Sequence, residues 1–277
     1  MTMAFDPLHR LIDRLAELPP IRNWRRARFE RRFRQRMGHA FHGVFTTFEA
    51  AAAAVPPALP GSYDSPEAAA MYADRLQVDD HDHPAMFWLH EATATGARTI
   101  CDLGGSIGIK YYAFAPHLRL GPAITWHVVE VPAAVELGRR TALARGVGDQ
   151  LRFGTDLAVA AGCDVLFASG ALQYLPRSLG ELLAGLSTLP HRVIVNTTPI
   201  HPSRSFFTLN NVGTACCPYR VSAHPDFVAS LTGLGYSLRD QWRNLGKRLH
   251  LPFEQGLSLE HYSGFCFDRT SGTRAAP

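Results

Sequence analysis

From Arg98 to Phe267 the chain alternates short apolar runs with amphipathic stretches, and this alternation restricts the fold more than any other feature. Thr99–Asp102, Ile124–Val129, Leu151–Phe153, Cys163–Ala168 and Arg192–Asn196 read as buried strands. Between them, Ile107–Phe114 suits a helix, and a second helix starts at Pro132 and leaves at Gly146, the residue types favoured at those two ends. Leu179, Leu182, Leu183 and Leu186 fall on one helical face, as do Phe227, Val228, Leu231 and Leu234 before the stop at Gly235. Strands separated by helices predict a parallel sheet with crossover helices on both faces. Tyr236–Asp240 and Tyr262–Phe267 have no clear helix between them and can pair as an antiparallel edge. Such sheets bind ligands at the carboxyl ends of their strands. The site is therefore expected just after Asp102, Glu130, Phe153, Ala168 and Asn196.

Of the 277 residues, 46% are hydrophobic and 19% charged, enough to bury a core and too apolar for a wholly disordered chain. No stretch approaches the roughly 18–20 uncharged apolar residues of a membrane-spanning helix. The opening MTMAFDPLHRLIDRLAEL is broken by Asp6, Asp13 and Glu17, unlike a signal-peptide core, so a soluble cytoplasmic protein is expected. The five cysteines (Cys101, Cys163, Cys216, Cys217 and Cys266) are odd in number and lack zinc-site spacing, which predicts reduced, mostly buried thiols. The net charge of +4 resides in Arg22, Arg25, Arg26, Arg28, Arg31, Arg32, Arg34 and Arg36, opposed locally only by Glu30. The organisation expected is a basic helical segment over 1–40, a helical cap over 41–97, a nucleotide-binding unit over 98–268 and a disordered tail over 269–277. Phe29, Phe33 and Met37 line one face of the first segment, and the cap's helices break near Asp79–Pro84.

The first strand runs into Asp102-Leu-Gly104-Gly105-Ser106-Ile-Gly108. Glycines allow a tight turn and close approach of a ligand to the backbone, and the following helix offers free N–H groups. A dinucleotide fingerprint fails because its third glycine would fall at Ile109, and Gly108-Ile-Lys110-Tyr111 does not complete a Walker loop. The pattern that fits is acid-x-Gly-x-Gly/Ser-x-Gly, with Ser106 in the middle slot. It resembles the first motif of class I S-adenosylmethionine-dependent methyltransferases. Further segments extend the resemblance from Phe41 to Phe267: FHGVFTTFEA from Phe41, GSYD from Gly61, WHVVEVP from Trp126, SGALQYL from Ser169, NTTPIHP from Asn196 and HYSGFCF from His261. Together they are similar to an uncharacterised bacterial methyltransferase family often found near polysaccharide or secondary-metabolite genes.

The resemblance implies a Rossmann-like class I methyltransferase fold: an α/β, mostly parallel seven-stranded sheet with an antiparallel C-terminal strand and an N-terminal helical cap. It implies S-adenosyl-L-methionine as cofactor and S-adenosyl-L-homocysteine as product. Asp102, Gly104, Gly105, Ser106 and Gly108 would wrap the amino-acid portion. Glu130, followed by Val131, would hold the ribose hydroxyls, a task suited to a carboxylate's two acceptor oxygens. Asp156 would approach the adenine amine, or else cap a helix. Ser169, Gly170 and Gln173 would border the methyl group. The Thr197-Thr198-Pro199 stretch departs from the expected pattern and leaves the acceptor contacts open.

Methyl transfer to oxygen or nitrogen needs an aligned nucleophile and, for a protonated acceptor, removal of a proton. His201, just past the fifth strand, and His224, before the last helix, are the candidate bases; surface or helix-capping roles are the alternatives. Tyr111, Tyr112 and Tyr174 are candidates to line the acceptor pocket, with core packing as the rival account. Asp79-Asp-His-Asp-His83 has metal-ligand chemistry, but consecutive residues rarely aim at one ion, so a polar loop and no metal are expected. The arginine segment suits RNA or an anionic membrane, and equally a solvated helix, a dimer arm or a funnel for acidic substrates; no RNA-recognition motif accompanies it. The expected function is O- or N-methylation of a small molecule, natural products included. A non-catalytic cofactor-binding module and recruitment through the basic N-terminus are the rivals. Nucleic acid is disfavoured as partner, and a homodimer stays open.

Overall fold

The structure is a computed structural model. It describes residues 18–270 except 72, 73, 75 and 119, so the expectations for residues 1–17 and 271–277 lie outside the described residues. Its centre is a seven-stranded sheet. β2 (Thr99–Leu103), β3 (Thr125–Val129), β4 (Leu151–Gly154), β5 (Val165–Ser169) and β6 (Arg192–Thr198) run parallel. β11 (Leu259–Arg269) is antiparallel to β6 and to β10 (Tyr236–Leu249), giving the order β10-β11-β6-β5-β2-β3-β4. The fold class read from the sequence is the one observed. After β4 the chain returns to the other side of β2, so the winding reverses between β2 and β5. Such a switch point opens a crevice at the carboxyl ends of the two strands.

Helices cover both faces because the central parallel strands, β5 above all, bury apolar side chains on both sides. On one face lie α4 (His83–Ala94), α5 (Ile109–Leu118) and α6 (Pro132–Ala144), with Leu89, Phe114, Trp126 and Phe167 in the core. On the other lie α7 (Leu179–Ala184) and α8 (His224–Thr232), around Leu183, Leu231, Val193 and Phe265. Ser178 and Glu181 form a capping box that starts α7, and α6 opens on Pro132. β11 continues to Arg269, and the Thr270 amide donates to Gly235 at 2.8 Å, so order runs past the expected end at 268.

A second, four-stranded sheet is the main departure from expectation. Its order is β1 (Ala40–Phe45), β8 (Phe206–Asn211), β9 (Cys216–Ala223) and β7 (Ile200–His201). The region 41–97, expected to be helical, thus begins with a strand. Helices α2 (Phe48–Ala53) and α3 (Pro66–Ala70) and a 3₁₀ turn at Asp80–Asp82 follow, before α4. Phe41 pairs with Asn210, far along the chain. In β8 the buried residues include Thr208, Asn210 and Asn211, so this strand shows no apolar alternation. Asn211 instead donates to the carbonyls of Phe33 at 2.8 Å and Gln35 at 2.7 Å, holding the end of α1 (Pro19–Phe33). That helix packs Phe29 and Phe33 toward His42; Met37 lies beyond its end but joins the same apolar cluster. The outer face of α1 carries Trp24, with the Arg28 guanidinium 5.4 Å from its ring. All five cysteines are buried and unpaired. Among the described residues, no helix is long and apolar enough to cross a membrane.

Candidate functional site

The turn leaving β2 lies at the switch point. The Gly104 amide donates to the Val129 carbonyl at 2.8 Å, tying the loop to the neighbouring strand. Gly104 has φ +74°, and a Cβ there would come within 2.2 Å of the Ala171 Cβ. A Cβ on Gly105 would stand 2.3 Å from the Asp102 carboxylate. The loop is therefore stripped of side chains where β2, β3 and the segment after β5 converge. Ser106, in the middle slot, holds a left-handed φ of +54°, and Gly108 follows at +89°. That conformation explains why glycine is the usual occupant of the slot.

Two carboxylates frame this loop. Asp102 is almost fully buried; its Oδ2 accepts from Trp126 Nε1 at 3.0 Å, and its Oδ1 has no hydrogen-bond partner. Burial pushes its pKa from 3.8 up to about 7; the Trp126 hydrogen bond opposes this, the Glu130 charge adds to it and Lys110 lowers it. Glu130 follows β3. Its Oε1 accepts from the Ser106 amide at 3.2 Å and its Oε2 from the Val131 amide at 2.8 Å. Burial raises its pKa, the two amides pull it down, and Asp64 raises it. Each Glu130 oxygen keeps acceptor capacity after one hydrogen bond, as holding a pair of hydroxyls requires. Asp64 reaches the same corner, accepting from the Ala133 amide at the start of α6 at 3.0 Å. Asp156 caps the 3₁₀ turn at Leu157–Ala160 through the Ala158 amide, 2.8 Å away, so one of its oxygens is already engaged.

After β5, the Gly170 amide donates to the Asn196 carbonyl at 3.0 Å, and Ser169 Oγ lies 3.0 Å from Thr197 Oγ1. Gln173 is buried; its Nε2 reaches the Thr197 carbonyl at 3.5 Å and its Oε1 is unpartnered. Thr197 itself has φ +50°, an uncommon state for a β-branched residue. Several bonds impose it, including one from its amide to Asn244 Oδ1 at 3.1 Å. Asn196 and Asn244, both buried, donate to the His81 carbonyl at 3.2 Å each, anchoring the 79–83 loop over the end of β6.

That loop brings Asp79, His81 and Asp82 together, their ligand-type atoms within 4.8 Å of one another. The position of a cation is taken by Lys110, whose Nζ is 2.6 Å from Asp82 Oδ2 and 3.7 Å from Asp79 Oδ2. Burial lowers the His81 pKa, with Asp82 opposing and Lys247 assisting. This ion pair beside the glycine loop was not read from the sequence. The signal was the run of acids itself, whose partner lies in α5, past α4 and β2.

The remaining candidates sit in the following surroundings. His201 Nδ1 accepts from the amides of Ser203 at 3.1 Å and Arg204 at 3.0 Å, which leaves its proton on Nε2, 2.8 Å from the Gly256 carbonyl. In this arrangement both nitrogens are engaged by the backbone, and His201 holds the 201–204 turn against Gly256. Tyr111 is core: it is buried, its hydroxyl donates to Gln150 at 3.0 Å, and its ring packs on Trp126. Tyr112 lies beside it under the Arg145 guanidinium, 4.7 Å from its ring, and packs partly buried against the same core. His224, at the start of α8, faces Phe265 and bonds Gln241 at 2.9 Å, with no hydrogen bond to the glycine loop or Gln173. Tyr174, in the turn after β5, meets Tyr63 at 3.1 Å and Asn210 at 2.9 Å through its hydroxyl.

No protein-family model and no curated protein matches the chain. Solved structures do. The O-methyltransferase from the trans-AT PKS multienzyme of Brevibacillus brevis, in complex with S-adenosyl-L-homocysteine, superposes with a TM-score of 0.50 at 13% identity, over 67% of this chain and 71% of its own. The fold is the class I methyltransferase fold. Two further structures align over more of this chain. The 1,6-didemethyltoxoflavin-N1-methyltransferase of Burkholderia thailandensis has 19% identity, a TM-score of 0.47 and covers 73% of this chain and 81% of its own. The magnesium protoporphyrin IX methyltransferase of Synechocystis PCC 6803, with bound SAM, has 14% identity, a TM-score of 0.47 and covers 75% and 93%. The glycine loop leaves β2 at the switch point, and Glu130 follows β3, the strand next to it.

Proposed function

We propose that this protein is an S-adenosylmethionine-dependent methyltransferase acting on a small-molecule acceptor at oxygen or nitrogen. The observation that carries the reading is the pairing of a loop cleared of Cβ atoms at Gly104 and Gly105 with the Glu130 carboxylate on the adjacent strand. The backbone over 104–108 would hold the amino-acid tail, Glu130 the ribose, and Ser169, Gly170 and Gln173 the methyl end; Asp156 borders the base. When bound, the cofactor supplies an electrophilic methyl group on a sulfonium. The chain's own task is to align an acceptor heteroatom and exclude water. Ser169, Thr197 and Gln173 are neutral hydrogen-bonding groups, suited to orienting that heteroatom rather than ionising it. The similar O-methyltransferase belongs to a PKS multienzyme, and a natural-product scaffold is the substrate class we favour. A cytoplasmic location belongs to the same reading.

The test is calorimetry with S-adenosylhomocysteine. Binding is expected, and Glu130→Ala should weaken it by about 1.5–3 kcal/mol, the worth of a charged hydrogen-bond acceptor. Absence of binding to the unaltered protein at millimolar ligand would overturn the assignment. Methyl incorporation into any acceptor separates an enzyme from a non-catalytic module of the same fold.

A further inference from the structure

Next to Gln173 and Thr198, on the α7–α8 face, lies a cavity of about 270 Å³ that the reading above leaves unused. Arg220, from β9, lines it. Its Nη2 donates to the carbonyls of Pro176 at 2.6 Å and Leu175 at 3.5 Å, and the guanidinium rests 4.6 Å from the Phe207 ring. Its Nε is buried with no partner. Among the described residues no carboxylate lies within ion-pair distance of it. The contrast with Arg192 is direct: that guanidinium, also half-buried, is clasped by both Glu91 and Asp268. Burial lowers the Arg220 pKa, and the charges of Glu181 and Glu49 only partly offset it. A cation taken from water without a counter-ion is costly, and it binds an arriving anion more strongly than an exposed one does.

The remaining lining narrows the ligand. Leu172, Leu179, Pro199 and Phe227 give an apolar wall fit for a ring or short chain, while Asp226 presents a carboxylate that already accepts from Ser205 at 2.9 Å. A ligand paired with Arg220 must tolerate Asp226, which favours one that also carries a hydrogen to donate. We infer that this cavity seats the anionic group of the methyl acceptor, with Arg220 as its counter-ion, and that the acceptor is a small carboxylic acid bearing a hydroxyl or amino group. This rests on the methyltransferase reading, because Gln173 then borders both the methyl end and the cavity.

The probes are 4-hydroxybenzoate, its neutral amide and inorganic phosphate, followed by ligand-observed NMR with and without S-adenosylhomocysteine. The acid should bind about tenfold or more tightly than the amide. Arg220→Gln should abolish that difference, Arg220→Lys should keep part of it, and Asp226→Asn should tighten the acid. S-adenosylhomocysteine affinity should be the same in Arg220→Gln as in the unaltered protein, which also certifies the variant's fold. Equal binding of acid and amide to the unaltered protein, or an acid preference that survives Arg220→Gln, would overturn the inference. Binding of phosphate with none of the acid would overturn the carboxylic-acid class. Acid binding at Arg220 in a protein that ignores S-adenosylhomocysteine would confirm the anion site while removing the methyltransferase reading beneath it.

Discussion

Asp102→Asn isolates a proton that the fold holds against its ordinary preference. In the unfolded chain this carboxyl ionises near 3.8; in the folded, unliganded protein it does so at about 7, chiefly because it is buried. The folded state therefore keeps its proton over a pH range in which the unfolded state has released it. Stability from this group is fully present below about pH 4 and is lost as pH rises through about 7. Each pH unit in that window costs at most about 1.4 kcal/mol, so the whole window amounts to about 4 kcal/mol. Asparagine has the same shape, keeps an oxygen for Trp126 Nε1 and cannot ionise. Urea unfolding followed by tryptophan fluorescence from pH 5 to pH 8.5 should show the variant more stable than the unaltered protein at the alkaline end, the gap closing toward pH 5. At pH 8.5, where the folded carboxyl is ionised, binding of the cationic cofactor should weaken by about tenfold in the variant as a nearby negative charge is lost, and at pH 5 the two proteins should bind alike. Parallel stability–pH curves for the two proteins, or a variant less stable at pH 8.5, would refute the reasoning.

Other perturbations address neighbouring parts of the site. Lys110→Met should cost about 3–5 kcal/mol in denaturant unfolding, because it strands the fully buried Asp82; the double change with Asp82→Asn should recover most of the loss. Ser106→Gly should raise stability by about 1 kcal/mol by relieving a left-handed serine, whereas Gly104→Ala should abolish S-adenosylhomocysteine binding in calorimetry, since its Cβ collides with Ala171. His201→Ala should lower the melting temperature, by about 1–3 kcal/mol of stability, through the orphaned amides of Ser203 and Arg204, and leave cofactor affinity unchanged. A base at this position would instead show as lost turnover without lost stability.

Legibility from sequence followed the physics of each element. The central parallel strands carry apolar runs such as Val165–Ala168 and Val193–Val195 that stand out unaided, while the edge strand β4 alternates buried Leu151 and Phe153 with exposed Arg152, and the glycine loop is conspicuous because close backbone approach tolerates few alternatives. β1 was hidden because its partner is β8, whose buried Asn210 and Asn211 satisfy Tyr174 and the end of α1 rather than following a two-residue apolar rhythm. The surroundings of His201 were hidden for a related reason. A position just past a strand end is visible in the sequence, but two backbone amides folding back onto Nδ1 of His201 are not. Tyr111 and Tyr112 follow the loop closely, yet the helix they begin turns them to the core side. The Asp82–Lys110 pair joins residues whose proximity exists only once the 79–83 loop lies over the sheet.

The pairing of Phe41 with Asn210 also bears on how the chain is made. β1 emerges from the ribosome long before the strand that completes it, about 170 residues later. At roughly 5–20 residues per second, translation leaves that aromatic edge waiting on the order of ten to thirty seconds. During that interval Phe41 and Phe45 have no sheet to join, so the nascent chain presents a sticky segment, and a chaperone that shields it early should raise the yield of folded protein.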